Sequence, residues 1–286
     1  MITLMSSTTD VLAELRGSPV AYVTNGGNAG DSLINVGFYE KARELGLDFR
    51  VLKRSQYQDV VPSDTVVLGG GGALVPEWPA SPRFVINVLP RCSRLIVLPQ
   101  SVHGVEDVLL RLRPQDTLIL RERYSHAYCA RLALKCRVML DHDLAISAPV
   151  HRLLHQPTQF KPPTTPANVA REFAVAWHHL RSRRIRTVEA FRLDAEARTN
   201  GPRWRRFNDF SSVARFAPGG YEESYYSATR FLQLIDLYDT IYTDRLHVII
   251  GACLLGKKIV AFENSYHKVR GVIEMSLSDY PHLELR

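Results

Sequence analysis

Two short polar breaks in otherwise apolar text carry the residues best suited to chemistry. The run YTDRLHVIIGACLLGKKIVAFENSYHKVRGV, Tyr242 to Val272, reads as strand, polar elbow, apolar helix, strand, polar elbow. The first elbow holds Asp244, Arg245 and His247; the second holds Glu263, Asn264, Ser265, Tyr266 and Lys268. Arg245 offers a planar fork that matches a carboxylate or phosphate, and His247 an imidazole able to exchange a proton near neutral pH. Lys268 adds a point charge. A basic pair opening an apolar helix is poorly explained by packing. The residue types therefore suit anion binding with proton transfer beside it.

Four further stretches could join them. In FRLDAEAR, Arg192, Asp194 and Glu196 alternate onto one face, where they either line a site or pair with neighbouring arginines. NGGNAGDSLI, Asn25 to Ile34, follows a strand and opens a helix, so its backbone N–H groups can approach an anion. Asn28 lies in this loop, and Asp31 stands at a helix N-cap position, for which capping alone is a sufficient account. The loop lacks the GKS/T ending of a Walker A motif. LGGGGALV, Leu68 to Val75, includes Gly70 and Gly71, and a costly glycine run suits backbone that passes close to a ligand. LPQSVHG puts Gln100, Ser101 and His103 at a strand end on the same rim, although loop exposure explains His103 equally well.

The elements that must position these residues alternate β-branched runs with amphipathic segments, the pattern of a parallel α/β sheet. Strands are expected at Val20 to Thr24, Phe49 to Leu52, Thr65 to Leu68, Leu95 to Leu98, Thr117 to Leu120 and Arg137 to Leu140. Between them, helices are expected at Ser32 to Leu45, Val105 to Leu112 and Ser125 to Leu134. Proline- and threonine-rich text then marks a linker over residues 150–166. It separates an N-terminal Rossmann-like domain, 1–149, from a C-terminal one, 167–286. The second half shows strands at Thr187 to Phe191, Thr240 to Thr243 and Lys258 to Phe262, and helices at Glu222 to Leu237 and Leu246 to Leu255.

Composition narrows the class. With 286 residues, 45% of them hydrophobic, the chain can bury substantial cores. No run approaches the roughly 20 apolar residues that span a bilayer, and the N-terminal text does not resemble a secretory signal, so a cytoplasmic location is expected. The four cysteines show no metal-binding spacing and read as buried thiols. No HExxH or DxD motif suggests a metal. The net charge of +7 is concentrated between Arg181 and Arg206. That stretch suits a solvated basic face or an approach to anionic lipid head groups; no nucleic-acid motif accompanies it, and no nucleic-acid partner is expected.

NAGD, the glycine run, LPQS, RERYS, FRLDAE, TDRLHV and ENSYHK occur in the order found in the polysaccharide pyruvyl transferase family, which the chain resembles over most of its length. The TDRLH helix followed by ENSYHK is the most specific part. Glu263, where aspartate is usual, and His267, where glycine is common, depart from the family pattern. The resemblance implies two Rossmann-like domains facing across a cleft, similar to the glycosyltransferase B architecture, with the acceptor on the N-terminal side and the donor on the C-terminal side. It implies transfer of the enolpyruvyl group of phosphoenolpyruvate to a sugar diol of a polysaccharide or its lipid-linked precursor, forming a ketal. Arg192, Arg245 and Lys268 would then bind the donor and His247 protonate it, with Asp31 or Asp244 as base. Asn28, Gly70, Gly71, Gln100, Ser101, Asn264, Ser265 and Tyr266 would line the acceptor side or the cleft. Phosphoenolpyruvate would serve as co-substrate with no further cofactor, and a membrane-borne acceptor would be reached by peripheral contact with the cytoplasmic membrane face. A nucleotide-sugar glycosyltransferase or a noncatalytic binding relative would use the same architecture.

Overall fold

Fully buried apolar strands dominate the first half of the chain, as expected for sheets covered on both faces. The computed structural model describes residues 7–156, 158–194, 208–216, 219–263 and 266–286. The chain forms two compact units, one of Met1–Asn25 with Phe38–Leu144, the other of Gly26–Gly37 with Ala145–Arg286.

The elements through the first unit are α1 (Thr8–Ala13), β1 (Val20–Val23), α2 (Ala29–Leu45), β2 (Phe49–Leu52), β3 (Thr65–Leu68), β4 (Gly71–Leu74), α3 (Ala80–Val88), β5 (Arg94–Val102), α4 (Glu106–Leu109), β6 (Thr117–Leu120), α5 (Arg123–Ala130) and β7 (Arg137–Leu140). Helix α2 begins in the segment grouped with the second unit and finishes in the first. The sheet runs β2-β1-β3-β5-β6-β7, with β4 alongside β5. Its pairings are parallel. One face is packed by Phe84, Val85 and Val88 of α3 and by Cys129 of α5 against Val23, Leu68, Val97 and Leu120. Tyr22 stacks on Phe38, and Tyr39 on Phe49, in an aromatic cluster.

Two sequence expectations change here. The glycine run is not an open loop: Gly71 to Leu74 is strand β4, pairing Gly71 with Gln100 and Leu74 with Val102. A Cβ on Gly70 would lie 2.7 Å from the carbonyl oxygen of Pro99, so the close approach that requires glycine is to neighbouring backbone within the sheet. Gly71 has φ 130°, a conformation other residues rarely adopt. Strand β5 also runs past Leu98, so Gln100 and Ser101 are buried within it and not on a rim. Gln100 Nε2 donates to the carbonyl of Gly69 at 2.8 Å. Ser101 Oγ accepts from Arg121 Nε at 2.9 Å, and Arg121 is itself buried against Asp143.

The second unit contains α6 (Val150–His155), α7 (Pro166–Ser182), β8 (Thr187–Glu189), α8 (Phe210–Val213), α9 (Tyr221–Asp236), β9 (Thr240–Thr243), α10 (Leu246–Leu254), β10 (Lys258–Ala261), α11 (Lys268–Val272) and β11 (Leu283–Leu285). Its sheet is parallel, ordered β11-β10-β9-β8. Helix α10 is apolar nearly all round and correspondingly buried. A Cβ on its Gly251 would come within 2.9 Å of Ile235 on α9, which marks how closely these helices approach. Part of the expected linker, Val150–His155, is helical and packs on α9. The proline-rich text ends in a helix start: Thr165 accepts from the Asn168 N–H and Pro166 occupies the first turn. Helix α7, absent from the sequence expectation, follows.

Candidate functional site

Residues that cap strands β8 and β9 build a buried charged cluster in the second unit. Thr243, the last residue of β9, donates its hydroxyl to the Ala190 carbonyl at 2.6 Å and accepts the Arg245 N–H at 3.0 Å. This clamp turns the chain sharply between β9 and α10. Asp244 at the turn accepts the Arg192 N–H at 2.8 Å, tying the ends of the neighbouring strands together.

Both arginines singled out from sequence are therefore fixed, and both are held by carboxylates. Arg245, 5% exposed, donates from Nε to Asp209 Oδ1 at 3.0 Å and closes the second arm of a bidentate pair on Asp209 Oδ2. Its Nη1 reaches Asp194 Oδ2 at 2.8 Å. Arg192 places Nε 2.7 Å and Nη2 3.1 Å from the two oxygens of the same Asp194. The pairing anticipated within FRLDAE is thus present, and Asp194, at 30% side-chain exposure, is the most accessible member of the cluster.

The electrostatics follow from burial. Removal from water works against the Arg245 charge, but the Asp209 and Asp194 carboxylates more than offset it, and its pKa lies above the ordinary arginine value. Burial pushes the Asp244 carboxyl up, opposed by the Arg192 N–H and by the Arg192 and Arg245 charges. Among the described residues, the two arginines of the cluster face three carboxylates, Asp194, Asp209 and Asp244.

His247 opens α10 and is half-buried. It lies against Asn28–Asp31, the cap and first turn of α2, a segment of the same unit: a Cβ on Gly30 would fall 2.6 Å from the His247 Cβ and Nδ1. The turn is held by its own side chains. Asp31 accepts the Asn28 N–H and Asn28 Oδ1 accepts the Gly30 N–H, each at 2.8 Å. Asn28 therefore occupies the cap position expected for Asp31, which instead reaches back from the first turn as in a capping box. Asn35 of the same segment donates to Ser224 on α9.

Tyr266 and Lys268 follow β10, the Lys268 ammonium 5.0 Å from the Tyr266 ring centroid. Asn264, Ser265 and Glu196 lie outside the described residues. Gly70, Gly71, Gln100 and Ser101 belong to the first unit. His103 stands 3.7 Å from Glu77. Sequence reasoning missed Asp209; its signal was no more than an aspartate preceding FSSV, which reads as an ordinary helix cap.

The polysaccharide pyruvyl transferase family matches residues 28–266. The chain belongs to this family. The pyruvyl transferase match opens at Asn28 of the turn facing His247 and closes at Tyr266, so it takes in Arg192, Asp194, Asp209, Asp244, Arg245 and His247. A crystal structure of a functionally uncharacterized protein from Klebsiella pneumoniae shares the fold, with a TM-score of 0.72 at 22% identity over 99% of each chain. None of the curated proteins matches the chain.

Proposed function

We propose that this family member transfers the enolpyruvyl unit of phosphoenolpyruvate to a sugar diol of a polysaccharide or its lipid-linked precursor, releasing phosphate and forming a cyclic pyruvate ketal. The observation that carries the proposal is the convergence of two buried arginines on the accessible Asp194, beside the strand end that bears His247. In this reading Asp194 is the counter-ion that the donor replaces: a carboxylate or phosphate offers the same paired oxygens to both forks. Lys268 supplies a further charge.

His247 protonates the methylene carbon, and positive charge develops at the adjacent carbon, where one sugar hydroxyl attacks. Phosphate then departs with its bonding electrons, and attack by the second hydroxyl closes the ketal. One hydroxyl proton makes good the proton given to carbon; the other leaves through a base. Asp31 and Asp244 are the candidates, and the raised pKa of Asp244 suits that task. The scheme uses no metal and no bound cofactor, and it places the enzyme in the cytoplasm, where phosphoenolpyruvate is made.

Incubation with phosphoenolpyruvate and a galactoside or mannoside, read by mass spectrometry and phosphate release, tests the reaction. His247→Gln is expected to abolish product while donor binding stays measurable; near-normal turnover would remove the proposed acid. Asp194→Asn is expected to tighten phosphoenolpyruvate binding, because it withdraws the competing carboxylate; weakened binding in a normally folded variant rejects the exchange. A glycosyl increment from a nucleotide sugar in place of the ketal would reassign the donor.

A further inference from the structure

Helix α7 wears its amphipathic pattern reversed. The side it buries carries Asn168, Ala174, Val175, His178 and Ser182. The side it shows to solvent carries Val169 (57% exposed), Phe173 (67%) and Leu180 (63%), with Trp177 at its margin. At 100° per residue Val169, Phe173, Ala176 and Leu180 fall within one narrow stripe, about 16 Å long over 11 residue steps. Burying Asn168 and His178 while exposing Phe173 is the opposite of what a water-facing helix does. His178 is satisfied inside by the Tyr238 hydroxyl at 2.6 Å, so the orientation is set by specific contacts.

The stripe runs directly into cations. Arg183 and Arg184, both exposed, continue it past the helix end, and Ile185 beside them is 48% exposed. The Arg181 guanidinium sits 5.5 Å from the Trp177 ring centroid. Between Thr165 and Arg186 the only acid is Glu172, and Arg230 and Tyr226 hold it. A second copy packed helix to helix would offer the arginines only that Glu172, which is already held. Anionic lipid head groups meet both needs at once: phosphates for the arginines, and the acyl boundary for the aromatic and aliphatic stripe.

We propose that this face of α7, Val169, Phe173, Trp177 and Leu180 with Arg183 and Arg184, is a docking surface for an anionic lipid bilayer. The helix lies in the head-group plane, apolar side down, with its arginines at phosphate level. No helix among the described residues is long and apolar enough to cross a membrane, so the contact is peripheral. The inference does not depend on the reaction catalysed.

Flotation with vesicles of phosphatidylcholine, with and without phosphatidylglycerol, tests it. Wild-type chain is expected to float with the mixed vesicles, to remain behind with phosphatidylcholine alone, and to dissociate as salt is raised. Phe173→Ser with Leu180→Ser, and separately Arg183→Ser with Arg184→Ser, should each lower partitioning by on the order of tenfold or more with an unchanged melting temperature. Failure of wild type to float with anionic vesicles overturns the proposal, as does equal partitioning of all three chains. Sedimentation showing a dimer that Phe173→Ser with Leu180→Ser dissociates would assign the face to a second copy and also overturn it.

Discussion

At the scale of single residues, the contact between Gly30 and His247 is the most exacting feature of the site. Alanine is normally favoured over glycine inside a helix by about 1 kcal/mol. At position 30 its methyl would stand 2.6 Å from the His247 Cβ and Nδ1, closer than such atoms tolerate. Because that Cβ is fixed to the α10 backbone, turning the ring cannot relieve the contact, and the starts of α2 and α10 must move apart. Gly30→Ala should therefore lower the melting temperature and, by displacing His247, cut kcat by about a hundredfold, the scale of loss that follows an ångström of misplacement. Unchanged turnover, measured beside phosphoenolpyruvate affinity, would show that the reaction does not depend on this contact holding His247 in place. Arg245 teaches a complementary lesson. Its side chain was readable as an anion-binding fork, but a fork buried beside Asp209 is also structural, because losing one partner of such a pair strands the other charge at a cost of about 3–5 kcal/mol. A loss of activity at Arg245 alone would therefore mix two causes, which is why the Asp194 exchange is the more discriminating measurement.

At the scale of elements, glycine and amphipathicity were each visible in the text but pointed away from their structural meaning. Periodicity placed β2, β3, β6, β7 and β9 at the positions observed; β3 and β6 are buried throughout, as strands covered on both faces must be, whereas β2, β7 and β9 mix buried residues with partly exposed ones. The same logic says nothing of the Gly69–Gly72 stretch, whose partner is a carbonyl 29 residues away from Gly70, on Pro99. Backbone cannot yield there as a flexible side chain could. Gly70→Ala should lower stability by on the order of 1–3 kcal/mol, seen as a drop in melting temperature of about 2–4 °C for each kcal/mol. A variant that melts like wild type would show that the β3–β4 junction relaxes freely. Helix α7 escaped notice for a different reason: amphipathicity marks a helix but does not state which face is turned inward, and here buried His178 and Asn168 reverse the usual assignment.

At the scale of the whole molecule, burial governs the thiols. Desolvation raises the pKa of Cys129 and Cys253 to about 12 and of Cys136 to about 11, and Cys92 is raised as well. Thiolate is the reactive form, so the folded chain should resist alkylation at neutral pH, and labelling should appear only in parallel with unfolding. Rapid modification of any of the four before the melting transition would reveal local opening around it. The sequence alone determined the parallel α/β class, most strand positions, the family and the residues worth testing. Those properties are written in periodicities and motif order, which are local or at least linear. Only the tertiary structure decided that Asn28–Asp31 joins the unit holding His247, that Asp209 and Asp194 hold the arginines, and that Gln100 and Ser101 are interior. Each of these depends on which distant segments meet in space, and a one-dimensional pattern of apolar and charged residues does not encode the partner of a hydrogen bond.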